Sequence, residues 1–513
     1  MKVPLTVSDF LDRAERVYRD RTGVVDEPDQ PAESWGELTY ARFAELARAQ
    51  AAGLDRLGIG VGERVAMVTQ NCTRLLSAFW GVSGSGRVLV PINFRLNHEE
   101  VSYIVGHCGA SILLVDPELD DALAGVSAPR RFVIGAASDD ELLAFDTQPV
   151  PWAEPDEDAT ATINYTSGTT ARPKGVQLTH RNIWVNATTF GWHTGVTDRD
   201  VYLHTLPMFH CNGWGMTYAV TGMGGKHVVL RRVDGAEILR RVEEHGVTLM
   251  CGAPAVANAV LEAASTWDGP IPGAGRTRIV VAGAPPPTRT IERIESELGW
   301  EFLQIYGLTE TSPLLTMNRG RAEYDELTPN DRAKRLGRAG VPAIGVRLRV
   351  DDNGEVLARS NVVLDGYWEQ PGATAEAIVD GWFHTGDGGT IDADGYLTIS
   401  DRKKDVIISG GENVSSIEVE DVLCSHPQVL EAAVIGVPDE KWGETVKALV
   451  VLAPGADAVG EGDLIDHCRE HLAHFKCPTS VEIRDALTRT ATGKLQKFKL
   501  REPYWAGRDR QVG

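Results

Sequence analysis

The sequence predicts an α/β protein. It has a large N-terminal region of several layered sheets, a β-rich part closing that region, and a small α+β C-terminal domain. Three observations carry this prediction. Amphipathic helical segments and short apolar segments alternate up to about residue 310, the pattern of parallel sheets covered by helices. After about residue 335 the pattern shifts to short strands and an Asp-Asn-Gly turn. A charged stretch, DRKKD at 401–405, then leads into a compact α/β pattern of about 110 residues. At 513 residues the chain is too long for one core, and roughly two to four domains are expected. We divide it into 1–400, a hinge at 401–405, and 406–513.

The elements follow in order. FAELARAQAAGLDRLG, residues 43–58, repeats apolar positions at helical spacing, and Gly58 fits a helix stop. GERVAMVT and ASILLVD read as buried strands. AEILRRVEEHG reads as a helix, and VTLMCGAP as the strand after it. TRIVVAG has the apolar run that a strand buried on both faces requires. LGRAGVPAIGVRLRVDDNGEVLAR supplies the β-rich part. Beyond the hinge, IEVEDVLCSHP reads as a helix, and VLEAAVIGVP and TVKALVVLAP as strands. The tail ATGKLQKFKLREPYW is basic.

Composition excludes several classes. A hydrophobic fraction of 42% and 12 tryptophans argue against disorder. A formal net charge of -21 disfavours a broad nucleic-acid or anionic-membrane surface, while leaving room for a local cationic pocket. The opening MKVPLTVSDFLDRAERVYRD places charges where a signal peptide needs an apolar core, and no run approaches a membrane span. A cytoplasmic protein with no integral membrane segment is the default expectation. Seven cysteines without a CxxC pair indicate neither a disulfide scaffold nor a structural zinc site.

TSGTTARPKG at 166–175 is the first candidate site. Backbone N–H groups in a glycine-bearing turn converge on phosphate oxygens, and Thr166, Ser167, Thr169 and Thr170 add hydroxyl donors around Gly168. Lys174 supplies a point charge. The stretch follows ATINY, a strand pattern, and precedes the helical HRNIWVNATTF, where phosphate loops often sit. It is not a Walker A sequence, and by composition a polar surface turn is an equally open reading. YGLTE places Tyr306, able to stack on a base, four positions before Glu310, able to hold Mg²⁺ through oxygen; a turn capped by Thr309 is the alternative. HTGDGG offers Asp387 to two ribose hydroxyls, or as an ordinary turn aspartate. Lys494 near the end reads, by itself, as a solvated lysine. HCREHLAHFKC at 467–477 can put His467, His471 and His474 on one helical face, but its spacing matches no zinc signature and no carboxylate-rich partner adjoins it, so an exposed helix is the preferred reading.

Together with PMFHCNGW, VVAGAPPP, GYWEQPGAT, GWFHTGDGG, DRKKDVIISGGENVSSIEVE and RTATGKLQKFKLR, these motifs resemble the adenylate-forming acyl-CoA synthetase superfamily over nearly the whole chain. The resemblance implies ATP, Mg²⁺ and coenzyme A as co-substrates or cofactors, and a small carboxylic acid, fatty or otherwise hydrophobic, as substrate. It implies that residues 406–513 form a mobile catalytic domain turning about 401–405, where Lys404 falls. Thr166 to Lys174 resemble the phosphate loop, with Thr166, Ser167, Thr169 and Thr170 near the outer phosphates. Gly283, Ala284 and Pro285 resemble the segment beside adenine and the acyl pocket, and Tyr306 the adenine-stacking aromatic. Thr309 resembles the α-phosphate contact and Glu310 the Mg²⁺ ligand. Asp387 resembles the ribose clasp, assisted by Arg402. Lys494 resembles the lysine that meets the carboxylate and α-phosphate, and Gly410 and Gly411 the loop that approaches CoA. His210, with Gly213, resembles the element at the acyl pocket, where Trp214 either shortens the pocket or packs its outer wall. Delivery to an acyl-carrier-protein thiol, or a non-catalytic acyl- or nucleotide-binding role, are the competing readings. A homodimer is common among such enzymes.

Two positions depart from the family pattern. Thr488 replaces a common proline, and Ala171 replaces the usual glycine. A positive φ at 171 costs alanine about 1–2 kcal/mol, whereas a negative φ makes it harmless or reduces loop freedom. We expect the chain to turn over ATP as it stands, and Ala171→Gly to leave that turnover unchanged. A large rise in Ala171→Gly turnover would show instead that the alanine damages the loop.

Overall fold

The computed structural model describes residues 1–166, 172–402, 405–409, 412–439, 442–453, 455–456, 459–489 and 495–506, with nothing said of the side chains of 401, 402 and 413. Two large sheets form the N-terminal region. The first runs, edge to edge, Val341–Pro342, Leu314–Arg319, Glu301–Gly307, Arg278–Val281, Leu249–Gly252, Val201–His204, Lys226–Val229, Thr22–Val25 and Glu37–Thr39. Its central strands are parallel, with antiparallel pairs toward both edges. The second runs Gly366–Tyr367, Lys174–Thr179, Thr160–Thr166, Val88–Ile92, Arg64–Val68, Ala110–Val115 and Arg130–Val133.

Side-chain alternation divides the interior into layers. On the first sheet Tyr202, Leu249, Val280 and Leu303 join one apolar cluster, while Leu203, Met250, Ile279 and Phe302 join another on the opposite face. The first cluster also holds Val65, Met67, Leu89 and Ile112 of the second sheet, so it lies between the sheets. Helices Tyr40–Arg56, Thr73–Gly81, His180–Thr194 and Met216–Met223 feed that layer. The helical stretch expected at 43–58 is the helix Tyr40–Arg56, and Gly58 follows with φ +74.

The β-rich part is a third sheet of Arg347–Val350, Glu355–Arg359, Trp382–Ile391 and Ile378–Val379, with Leu397–Arg402 paired to Trp382–Ile391. The chain then enters a fourth sheet of Glu412–Val414, Ile407–Ser409, Gly443–Leu452 and Val429–Asp439, to which Ser480–Ile483 adds in parallel. Helices Ser416–Ser425 and Glu461–His471 close its core around Val419, Leu423, Val434, Val446 and Leu464. This C-terminal unit touches the N-terminal region through polar groups: Asp421 accepts from the Thr288 N–H and hydroxyl at 2.8 and 3.0 Å, and Arg289 donates to the His426 carbonyl at 3.0 Å. Among the described residues no helix is long and apolar enough to cross a membrane, and the seven cysteines are buried and free.

Arg231 ties the two large sheets together. It follows strand Lys226–Val229 and donates to Asp116 and Glu118, each at 2.8 Å, in the turn after Ala110–Val115. Arg231 and Asp116 are both buried, and Thr69 donates to the other Asp116 oxygen at 2.6 Å. Burial pushes the Asp116 carboxyl up, but Arg231 and Thr69 outweigh it and hold it below the ordinary 3.8. A carboxylate depressed in the folded state contributes stability above its unfolded pKa, lost as pH falls through and below that value. Arg231→Ala leaves a buried carboxylate unpaired, and we expect a loss of about 3–5 kcal/mol at neutral pH. Urea denaturation at neutral pH and again below the carboxylate's ordinary pKa checks it: the deficit is expected to shrink in acid.

Candidate active site

The carboxyl ends of the first sheet's parallel strands open on one edge. Four successive segments leave there: 205–215 after Val201–His204, 253 onward after Leu249–Gly252, 282–285 after Arg278–Val281, and 306–311 at the end of Glu301–Gly307. Ligands in open α/β sheets bind at such an edge. Gly283 (φ +94), Ala284 and Pro285 lie in the third segment, partly or wholly exposed.

Tyr306 sits at that edge, and its phenol donates to the Asp387 carboxylate at 2.8 Å. Asp387 belongs to strand Trp382–Ile391 of the third sheet, in register with Arg402. Its own N–H donates to Thr385, whose hydroxyl donates to the Val356 carbonyl, and the neighbouring Gly386 N–H donates to Glu355. These bonds fix a carboxylate that is only 6% exposed.

Thr309 and Glu310 occupy the short helical turn Thr309–Thr311. Tyr367 donates to Glu310 Oε1 at 3.0 Å, and the Lys174 ammonium lies 4.8 Å from the Tyr367 ring centre. Burial, then the Glu310 charge, pushes the Tyr367 phenol up, so it remains the donor. Lys174, Tyr367 and Glu310 thus form a continuous line from the second sheet to the first.

The hydroxyl-rich stretch is flanked by two strands that pair antiparallel. Thr160–Thr166 runs out and Lys174–Thr179 returns, with Thr166 opposite Lys174. This corrects the strand–loop–helix arrangement expected from the sequence. The helix His180–Thr194 begins after the 6-residue returning strand, about 20 Å along the chain from Lys174. Its first turn is capped by Thr179 and Asn182, so its N-terminus serves its own cap. Ser167, Gly168, Thr169, Thr170 and Ala171 lie outside the described residues, as do Lys404, Gly410, Gly411 and Lys494. The Arg402 side chain does too.

His210 precedes a left-handed turn. Cys211, Asn212, Gly213, Trp214 and Gly215 have φ of 46, 55, 63, 59 and 85°. Non-glycine residues pay about 1–2 kcal/mol each for this conformation, Asn least. Buried amides hold it. Asn164 donates to Asn212 Oδ1 at 3.1 Å and to the Phe209 carbonyl at 3.2 Å; Asn212 donates to Thr162 at 2.9 Å; Thr162 donates to Asn164 Oδ1 at 2.8 Å. Asn186 donates to the Trp214 carbonyl and accepts from the Leu314 N–H, each at 3.1 Å. The Cys211 thiol faces the Thr309 carbonyl at 3.8 Å, which sets the His210 segment beside Thr309. Trp214, 4% exposed, packs in the apolar layer between the two large sheets.

Thr162, Asn164, Asn186 and Asn212 escaped the sequence reading. Asn and Thr inside apolar strand and helix patterns were the available signal, but their partners are 48 or more positions away in three of these bonds. The histidine cluster also needs correction. Helix Glu461–His471 ends before His474, which starts a separate short turn, so His474 does not share its face.

A scan against family models matches residues 11–368 to the AMP-binding enzyme family and 418–494 to the AMP-binding enzyme C-terminal domain. Strand ends that carry an aromatic bonded to a carboxylate, with a lysine nearby, fit the ligand-binding edge of an open α/β sheet. The chain belongs to the AMP-binding, adenylate-forming enzymes, in their acyl-CoA synthetase branch. It is 37% identical to the 2-methylpropanoate–CoA ligase CCL4 of Humulus lupulus, covering 97% of this chain and 95% of that protein. It is 36% identical to 4-hydroxybutyrate–CoA ligase 2 of Metallosphaera sedula, covering 96% and 93%. Its fold matches the anthranilate CoA ligase AuaEII in complex with anthranoyl-AMP with a TM-score of 0.87 at 27% identity, covering 98% and 99% of the two chains. ATP-bound MatB from Rhodopseudomonas palustris matches at 0.83 and 28%, covering 97% and 99%.

Asn212→Ala removes two buried hydrogen bonds and leaves a β-branchless residue without Asn's tolerance for positive φ. We expect it to lose about 2–4 kcal/mol of stability, and Asn212→Gly to recover about 1 kcal/mol of that by relieving the backbone alone. Denaturant midpoints of the two variants test this; equal losses would show that the left-handed conformation costs nothing here.

Proposed function

We propose that the chain activates a short, hydrophobic carboxylic acid with ATP and transfers the acyl group to coenzyme A, giving acyl-CoA, AMP and pyrophosphate. A carboxylate resists a thiol, because its charge repels the nucleophile and oxide leaves poorly. A carboxylate oxygen attacks the α-phosphorus, the bond to pyrophosphate breaks, and acyl-AMP forms. The CoA thiol then gives up its proton as its sulfur attacks the acyl carbon, and AMP departs.

The observation that carries this reading is the pairing of Tyr306 with Asp387 beside the line of Lys174, Tyr367 and Glu310. In this reading Asp387 accepts the ribose hydroxyls, assisted by Arg402, with Tyr306 and the Gly283–Pro285 segment against adenine. Thr309 meets the α-phosphate. Thr166, Ser167, Gly168, Thr169, Thr170 and Lys174 hold the outer phosphates. Glu310 is the hard oxygen donor suited to Mg²⁺, which neutralises phosphate charge when bound. Preorganised donors and cations of this kind stabilise charge developing in transfer. Lys494 meets the carboxylate and α-phosphate during the first step. Residues 406–513 then turn about 401–405 and bring Gly410 and Gly411 toward CoA, which also keeps water from the acyl-adenylate.

Trp214 supports a short acid. Its indole is buried, 6.5 Å from the His210 ring centre to centre, and in this reading it limits the length of the acyl chain. Relatives named for 2-methylpropanoate, 4-hydroxybutyrate and butyrate support the same size. We expect acid-dependent ATP–pyrophosphate exchange to be greatest with butyrate and 2-methylpropanoate and to fall as the chain lengthens. Trp214→Gly, which suits the positive φ, is expected to shift the preference to longer acids. An unchanged length profile in that variant removes Trp214 from the pocket. Absence of exchange with every acid favours a non-catalytic binding role, and exchange followed by transfer to carrier protein but not CoA favours the carrier reading.

A further inference from the structure

The C-terminal unit holds a side-chain cluster that the adenylation crevice does not use. Helix Glu461–His471 ends with His467, Glu470 and His471, and one ligand atom from each lies within 4.8 Å of the others. Spacings of three and four residues put all three on one helical face. The sequence alone offered no evident carboxylate partner; the helix supplies Glu470.

Each imidazole is oriented by hydrogen bonds to its second nitrogen. His467 Nε2 lies 3.1 Å from the Val422 carbonyl and 3.0 Å from Ser425 Oγ. Ser425 gives its own proton to the Val422 carbonyl at 2.6 Å, so its oxygen accepts from His467. His471 Nδ1 lies 2.8 Å from the His467 carbonyl. A ring nitrogen facing a carbonyl carries the proton, which leaves the lone pair on Nδ1 of His467 and Nε2 of His471. Metal-ligating histidines are oriented in this way by backbone carbonyls. The two rings are 4.6 Å apart, centre to centre. His426 meets His467 edge-on at 5.1 Å, and its carbonyl is the one that accepts from Arg289 of the N-terminal region. Cys468 and Cys477 point into the core and are not available as ligands.

We propose that His467, Glu470 and His471 form a surface site for a divalent transition metal, independent of the Mg²⁺ that accompanies ATP. Two imidazoles and one carboxylate suit zinc, nickel or copper and not magnesium, which takes oxygen donors. The site adjoins the contact between helix Ser416–Ser425 and the N-terminal region.

Isothermal titration of the untagged full chain with Zn²⁺, in excess Mg²⁺ and without nucleotide, tests the proposal. We expect one zinc per chain. His471→Ala is expected to weaken binding by at least about tenfold, since even outer-shell losses reach that size. Glu470→Gln is expected to weaken it less. Both positions are exposed, so the fold survives; unchanged thermal melts confirm this. No uptake by the wild type, or uptake unaffected by both substitutions, overturns the assignment.

Discussion

The left-handed turn at Cys211–Gly215 is the constraint on which the candidate site depends. Five successive residues with positive φ are held against a backbone preference that would unwind them. What holds them is a closed ring of side-chain hydrogen bonds among Thr162, Asn164 and Asn212, all fully or nearly buried. A buried amide left without partners costs more than one never buried, so the ring is stable only when complete. Thr162 and Asn164 lie on the strand that leads to the hydroxyl-rich turn. The same ring therefore sets the place of His210 and the start of the hairpin. Backbone strain over-determined by its surroundings is a mark of functional sites.

The rest of the crevice follows from sheet geometry. Parallel strands deliver their carboxyl ends to one edge, so residues far apart in sequence meet there. Asp387 reaches Tyr306 from the third sheet, across 81 positions, and Glu310 meets Lys174 through Tyr367. The C-terminal unit meets the N-terminal region through charge-assisted contacts at Thr288 and Arg289, each worth about 1.5–3 kcal/mol net. Contacts of that strength suit a unit proposed to change position between two half-reactions at one carbonyl.

Much of the fold was legible. Apolar runs such as TRIVVAG and ASILLVD declare strands buried on both faces, and the Asp-Asn-Gly turn with its short strands declares the third sheet. Tyr306, Glu310 and Asp387 stood out through motif resemblance; the structure joins Tyr306 to Asp387 and sets Glu310 in the turn that follows Tyr306. KGVQLT, whose apolar Val176 and Leu178 alternate with polar neighbours, forms a returning strand that the sequence reading left unassigned, so the helix starts farther along the chain. The left-handed turn was invisible: only two of its five residues are glycine, and its support comes from amides far away in sequence. Glu470 lies between His467 and His471 in sequence, but only the helix brings its carboxylate to both rings, while Cys468 and Cys477 face inward.

The most direct measurement is a crystal structure of the chain with a non-hydrolysable analogue of butyryl-AMP. The account predicts the ribose hydroxyls on Asp387, the phosphate surrogate within hydrogen-bond reach of Thr309, and the acyl tail ending against Trp214 beside His210. An analogue bound away from Tyr306 and Asp387, or an acyl tail directed away from the Cys211–Gly215 turn, would contradict it.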